Sequence, residues 1–189
     1  MDAKELFGRL GISDPRLIAR LAAITEFRHL AKGERLVGTG EPQTHVSFAL
    51  SGVLRSFLEN PDGTDSTDCF IARPGMAAMP CADLAEPSPT TIEALTDCEL
   101  ACIRLEPLEA LIQTSLPLAL IYNGLLKQAW RDHWNVKTAT RQASARDRYL
   151  WFLREYPGLI DQVPHRYVAS FLGITPVTLS RVRSSLRTA

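Results

Sequence analysis

The sequence predicts an α+β chain: an antiparallel β-roll of jelly-roll type with flanking helices over residues 1–115, a long helix over 116–142, and a small helical domain over 143–189. Three observations carry that reading. Residues 32–105 break into short alternating runs separated by turn formers, as strands of a small antiparallel sandwich do. Residues 116–142 hold no helix breaker beyond Pro117 in the first turn and Gly124, which allows roughly seven helical turns. The third is charge: a formal net charge of zero hides 10 Lys/Arg against 17 Asp/Glu in residues 1–126 and 11 against 4 in 127–189. An acidic first part followed by a basic last third suggests a sensing domain joined to one that binds a polyanion.

In chain order, Leu6, Leu10, Leu17, Ile18, Leu21, Ile24 and Phe27 recur at helical spacing, with Ser13-Asp14-Pro15 as a stop and restart, so two short helices are expected. Strands follow at 46–50, 53–59, 65–71, 91–95 and 99–105, punctuated by Ser51-Gly52, Pro61-Asp62-Gly63 and Pro74-Gly75. Glu106-Pro107 then opens a short helix through Ile112. In the long helix, Leu118, Ile121, Leu125, Ala129, Val136 and Ala139 fall at alternating threes and fours, with Asp132 the one intruder. So small a domain offers such a seam no obvious cover, and a two-fold partner helix is the economical answer, hence a homodimer. Trp130 and Trp134, one turn apart on a different face, read as packing anchors. Ser144 with Asp147 resembles a capping pair for a further helix, whose inward face is Tyr149, Phe152, Leu153 and Tyr156 and which Pro157-Gly158 ends.

The bulk numbers exclude several classes. An apolar fraction of 46% supports a packed core. No apolar run approaches the ~20 residues of a membrane span, and the start lacks the basic-then-apolar order of a signal peptide, so a cytoplasmic protein is expected, with no membrane partner. Cys69, Cys81, Cys98 and Cys102 form no Cys-x-x-Cys and have no nearby histidine, which leaves metal and iron–sulfur ligation without support. A metal-dependent enzyme on such a roll needs two histidines and a carboxylate. The 32–105 stretch holds one histidine, His45, and the chain reads as a non-enzyme with no cofactor.

Residues 165–186 carry the sharpest signal. Ala169 is small where two helices would cross, and Gly173 sits where the chain must turn between them. Thr175 can cap the second helix with Pro176 in its first turn, while Val168, Leu172, Ile174, Leu179, Val182 and Leu186 bury the inner faces. What remains outward is small or cationic and free of acid: Thr178, Ser180, Arg181, Arg183, Ser184 and Ser185. This is a helix-turn-helix pattern suited to phosphates and base edges, with Thr175, Val177, Thr178, Arg181, Arg183 and Ser184 as the expected DNA-facing set.

With these motifs in hand, the whole chain resembles the Crp-Fnr family of bacterial transcription regulators. Lys32-Gly33-Glu34-Arg35-Leu36 with Gly40-Glu41, then Leu50-Ser51-Gly52-Val53-Leu54 and Pro74-Gly75, look like the turn signature of that family's cyclic-nucleotide-binding-like roll. The tail from Arg148-Tyr149-Leu150 to Leu179-Ser180-Arg181 looks like its compact helix-turn-helix. The resemblance implies a dimer that senses a small effector in the roll and binds palindromic double-stranded DNA, with RNA polymerase as a further candidate partner. Two departures qualify it. The family's cyclic-AMP receptors hold the nucleotide with a Gly-Glu and an Arg-Ser pair, whereas here Gly75 is followed by Met76 and the later pair falls at Thr90-Thr91. The phosphate-binding cation is absent there, so cyclic AMP is not the expected effector, and Arg55 or Arg73 would have to replace it. Gly75, Met76, Met79, Cys81, Thr90 and Thr91 are the expected effector pocket. In the reading helix Arg181 matches the family's guanine-pairing arginine, but Val177 stands where a glutamate is common. The alternative function is therefore a sensor of the same fold that acts through a protein partner without reading DNA sequence.

Overall fold

The computed structural model describes residues 2–81 and 83–187. Helices α1 (Ala3–Arg9) and α2 (Pro15–Ala22) both start on aspartate: Asp2 accepts the Glu5 amide at 2.8 Å and Asp14 that of Arg16 at 2.9 Å. The helical spacing ends sooner than the sequence suggests. Residues from Thr25 form strand β1 (Thr25–Leu30), antiparallel to β8 (Cys98–Arg104) from Thr25↔Ile103 to Leu30↔Cys98. Neither Ile24 nor Phe27 lies on a helix, and Phe27 is exposed on an edge strand. The cause is tertiary: the open side of β8 satisfies backbone groups along six residues, which outweighs two apolar residues at helical spacing.

The other expected strands are β3 (His45–Ser51), β4 (Leu54–Glu59), β5 (Asp65–Ile71) and β7 (Thr91–Ala94). Strands β2 (Arg35–Val37) and β6 (Ala77–Ala78) are too short for periodicity to reveal. Two antiparallel sheets result, with strand orders β1-β8-β3-β6 and β2-β7-β4-β5. Gly52 turns β3 into β4 at φ +83°, and a Cβ there would collide with the Asp97 carbonyl and the Cys98 sulfur.

Each sheet carries buried residues on both faces. Between them Leu30, Ala49, Leu54, Ile71, Ile92, Leu100 and Cys102 form the roll's interior. The outer face of the first sheet is covered by α1, α2, α3 (Leu105–Thr114) and the start of α4 (Leu116–Gln142). Against the second sheet, Val53, Phe70 and Leu95 pack with residues of α5 (Ala145–Glu155), a 3-10 turn (Leu159–Asp161), α6 (His165–Phe171) and α7 (Pro176–Arg187). The C-terminal helices thus share a core with the roll. All four cysteines are free thiols, and burial pushes that of Cys69 up to about 12.

Helix α4 spans the range its sequence predicts, but its stripe is covered differently. Leu118 is buried in the core on the first sheet, Ile121 and Leu125 pack against that core, and Val136 packs against the C-terminal cluster. Only Ala129, between the two clusters, is exposed. Part of the expected dimer seam thus packs within the chain, because the N-terminal helices and the C-terminal domain supply cover that the sequence does not reveal. The opposite face carries Leu116 (72% exposed), Leu120 (63%), Trp130 (68%) and Trp134 (51%). At about 100° per residue these four fall within a sector of roughly 80°, about 180° from Leu118 and Leu125.

Candidate nucleic-acid interface

The motif at 165–187 has the geometry its residue types require. Helix α6 ends at Phe171, and Gly173 turns the chain at φ +62°. Ala169 is fully buried at the helix crossing, with Val168, Leu172 and Leu179 beside it. Thr175 caps α7: its Oγ1 accepts the Thr178 amide at 3.1 Å. Arg148, which the sequence marks only as the start of the family-like tail, ties the turn down. Arg148 of α5 donates through Nη1 to the carbonyls of Leu172 (3.0 Å) and Gly173 (3.3 Å), and through Nε to Ala143. Nothing in the sequence pattern marks it for this contact, since Arg146 lies nearer the same helix cap.

On α7 the apolar face of Leu179, Val182 and Leu186 points into the C-terminal core. Val177, Arg181 and Ser184 are exposed and lie within roughly 60° of one another on the opposite side. Thr175 is exposed and Thr178 half-buried at the helix start. Arg183 departs from this set. It lies on the flank, where Nη1 is 2.8 and 2.7 Å from the two ring nitrogens of His165 and can donate to the unprotonated one. That flank is a groove of about 300 Å³ lined by His165, Pro176, Leu179, Ser180, Arg183, Ser184 and Arg187. Two arginines and no acid make it a fit for an anion.

The six residues expected around an effector do not converge. Along β6 and its flanks the side chains alternate: Met76 and Ala78 face the roll interior, whereas Ala77 and Met79 face the core under α1 and α2. Thr90 turns inward, its Oγ1 accepting from Ser56 Oγ at 2.8 Å, but Thr91 faces outward beside Thr39 and Glu59. Gly75 forms the turn into β6 at φ +85°, and Cys81 is held between Gln43 and the Asp83 carbonyl. Odd spacing along extended chain splits these pairs between two faces, which a reading by proximity in sequence overlooks. Arg55 points outward from β4 and bonds Asp65 and Glu93, so it does not face the interior. Strand β1 brings a second histidine, His29, but its Nδ1 pairs with Glu99 at 2.9 Å. Among the described residues no three His, Cys, Asp or Glu side chains are grouped to hold a metal ion.

A two-sheet roll, a long helix and a terminal helix-turn-helix together make up the architecture, and known proteins share it. Residues 27–115 match the cyclic nucleotide-binding domain family. In fold the chain is similar to FixK2 from Bradyrhizobium japonicum, with 20% identity, a TM-score of 0.75 and coverage of 87% of this chain and 85% of that one. It is also similar to CLP, the c-di-GMP-responsive global regulator of Xanthomonas campestris (19%, 0.73, 93% and 92%). A protein from Eubacterium rectale described as a transcriptional regulator of the Crp/Fnr family gives 19%, 0.78, 97% and 88%. Comparison with curated protein sequences gives no match. The chain thus carries a cyclic-nucleotide-binding-type roll in the α+β fold of Crp/Fnr regulators, and no helix among its described residues is long and apolar enough to cross a membrane.

Proposed function

We propose that this chain is a homodimeric, cytoplasmic transcription regulator of the Crp-Fnr type that binds palindromic double-stranded DNA through α7. One observation carries the reading: a capped helix, fixed by a glycine turn and by Arg148 and bearing no acid of its own, presents Arg181 outward. A guanidinium so placed can pair bidentately with guanine, while His165, Arg183 and Arg187 along the flank suit the phosphate backbone. The dimer forms through the exposed face of α4, where Leu116, Leu120, Trp130 and Trp134 would meet their copies. An apolar stripe of that length does not stay in water on an isolated chain. Two-fold pairing presents two reading helices, hence a palindrome, and RNA polymerase is the partner a bound activator would meet. The effector is a small molecule other than cyclic AMP, since Arg55, the one arginine of the roll buried among the described residues, is committed on its outer face.

The test is selection from random duplexes followed by fluorescence anisotropy on the enriched sequence. An enriched palindrome bound at least a hundredfold more tightly than random duplex supports the reading. If nothing enriches, the exposed apolar Val177 favours the second reading, a sensor whose last helix engages a protein.

A further inference from the structure

The contact between the second sheet and α6 is built around one buried cation. Arg55 of β4 is 2% exposed. Its Nε donates to Glu93 Oε1 at 2.7 Å, its Nη1 and Nη2 donate to the two oxygens of Asp65 at 2.8 Å each, and Nη1 also reaches Thr67 Oγ1 at 3.1 Å. One planar group thereby sets the spacing of β4, β5 and β7. The guanidinium carbon lies 4.3 Å from the Phe57 ring centre and 3.5 Å from that of Tyr167, so the cation is stacked between the roll and the first helix of the reading motif. Beside it the Thr67 amide donates to Ser170 Oγ of α6 at 2.9 Å, and the Phe70 ring meets Phe152, Tyr156 and Phe171.

The opposite face of the same strands is the roll interior. Ser56, next to Arg55, points inward and bonds Thr90, which directly precedes β7; three residues beyond Thr90, on that strand, Glu93 holds Arg55. A displacement of the Ser56–Thr90 contact shifts β4 against β7, and a bidentate, stacked guanidinium has no slack with which to absorb the shift.

We propose that the second sheet carries the state of the roll interior to the reading motif, through Ser56 and Thr90, then the Arg55–Asp65–Glu93 cluster, to Tyr167 and α6. Tyr167 is a positioning residue in this device. The proposal rests on the reading of the roll as the sensing part. It concerns a route other than α4, because the stacked pair joins strand to helix directly.

The experiment is amide hydrogen exchange by mass spectrometry on the full chain, with neither DNA nor effector present, so that failure to bind DNA leaves its outcome untouched. The variants are Thr90→Val, which removes the interior hydroxyl, Tyr167→Leu, which removes the stacked ring, and their combination. Tyr167→Leu is expected to raise exchange in residues 168–172 about tenfold, in line with a buried cation–π contact. Thr90→Val is expected to raise the same amides severalfold, and the double variant to add nothing to Tyr167→Leu alone. Should Tyr167→Leu not fold, Asp65→Asn takes its place, loosening the Arg55 guanidinium from the side on which its partner is partly exposed. The proposal is overturned if Thr90→Val speeds exchange in β4 but leaves 168–172 unchanged, or if its effect adds in full to that of the second variant.

Discussion

Replacing Trp130 with Ser separates the two faces of α4. Trp130 and Trp134 leave 68% and 51% of their surface in the solvent of the single chain. For an indole side chain of ~200–250 Å² that amounts to roughly 300 Å² per protomer. At ~25 cal/mol per Å² the two rings contribute about 7 kcal/mol of gross burial per protomer in a dimer, and loss of Trp130, the more exposed of the two, removes about 4 kcal/mol of it. The ordering costs of association are common to parent and variant and cancel. If only a third of the loss is realised across both protomers, the dimer weakens by about 2.7 kcal/mol, or roughly a hundredfold in Kd. Sedimentation velocity over a dilution series reads this directly, with the thermal midpoint as the check on folding. Leu125→Glu makes the contrast: it places a charge in the apolar cluster formed with Phe7, Leu10 and Leu21, so it should lower the midpoint and leave the surviving folded protein dimeric. A dissociated but thermally unchanged Leu125→Glu, together with a Trp130→Ser protein of parental mass, would refute the face assignment.

Four other outcomes follow from the same geometry. Arg181→Ala should cost ~1–3 kcal/mol on an enriched duplex and little on random DNA, whereas Arg183→Ala should weaken both alike, as anisotropy on the two duplexes would show. Calorimetry with cyclic AMP should detect no binding in the low micromolar range; tight binding would mean that Arg73 or another cation reaches the interior. Gly52→Ala should lower the unfolding midpoint sharply in a denaturant titration, since φ +83° and the crowding by Asp97 and Cys98 both oppose a side chain. The bond from Arg55 holds the Asp65 carboxyl below its ordinary range. That contribution is complete above the unfolded-state value near 3.8 and is lost as pH falls through the lower folded value, so the acid limb of an unfolding curve should flatten in Asp65→Asn below pH 4.

How legible these features were depended on whether the signal is local. The helix-turn-helix was readable because each requirement sits on its own residue: a small side chain at Ala169, positive φ at Gly173, a cap at Thr175. The limits of α4 were readable for the same reason, as helix breakers are local. The short strands β2 and β6 were not, because two or three residues carry no period, and β1 was masked by apolar residues continuing from α2. The effector set failed on parity: Met76 with Met79, and Thr90 with Thr91, are near in sequence and on opposite faces of their strands.

The two hidden surfaces share a deeper cause. A helical stripe states that something must cover it and leaves open what does. On α4 the stripe of Leu118, Ile121, Leu125 and Val136 is covered by its own chain, and the less regular one, interrupted by Asn123 and Lys127, is left bare. Arg55 poses the converse case. An arginine in the run Leu54-Arg55-Ser56-Phe57 sits where a strand is buried on both faces, and a cation there demands carboxylates. Asp65 stands at the start of the antiparallel neighbour and Glu93 directly across from Arg55 on β7. The register therefore implies the contact with Glu93, whereas Asp65 pairs with Glu59, four residues along β4 from Arg55, and is reached only by the length of the arginine side chain. What pairing could not supply is Tyr167, more than a hundred residues away, whose ring completes the burial of the charge and makes the site a joint between the roll and the reading motif.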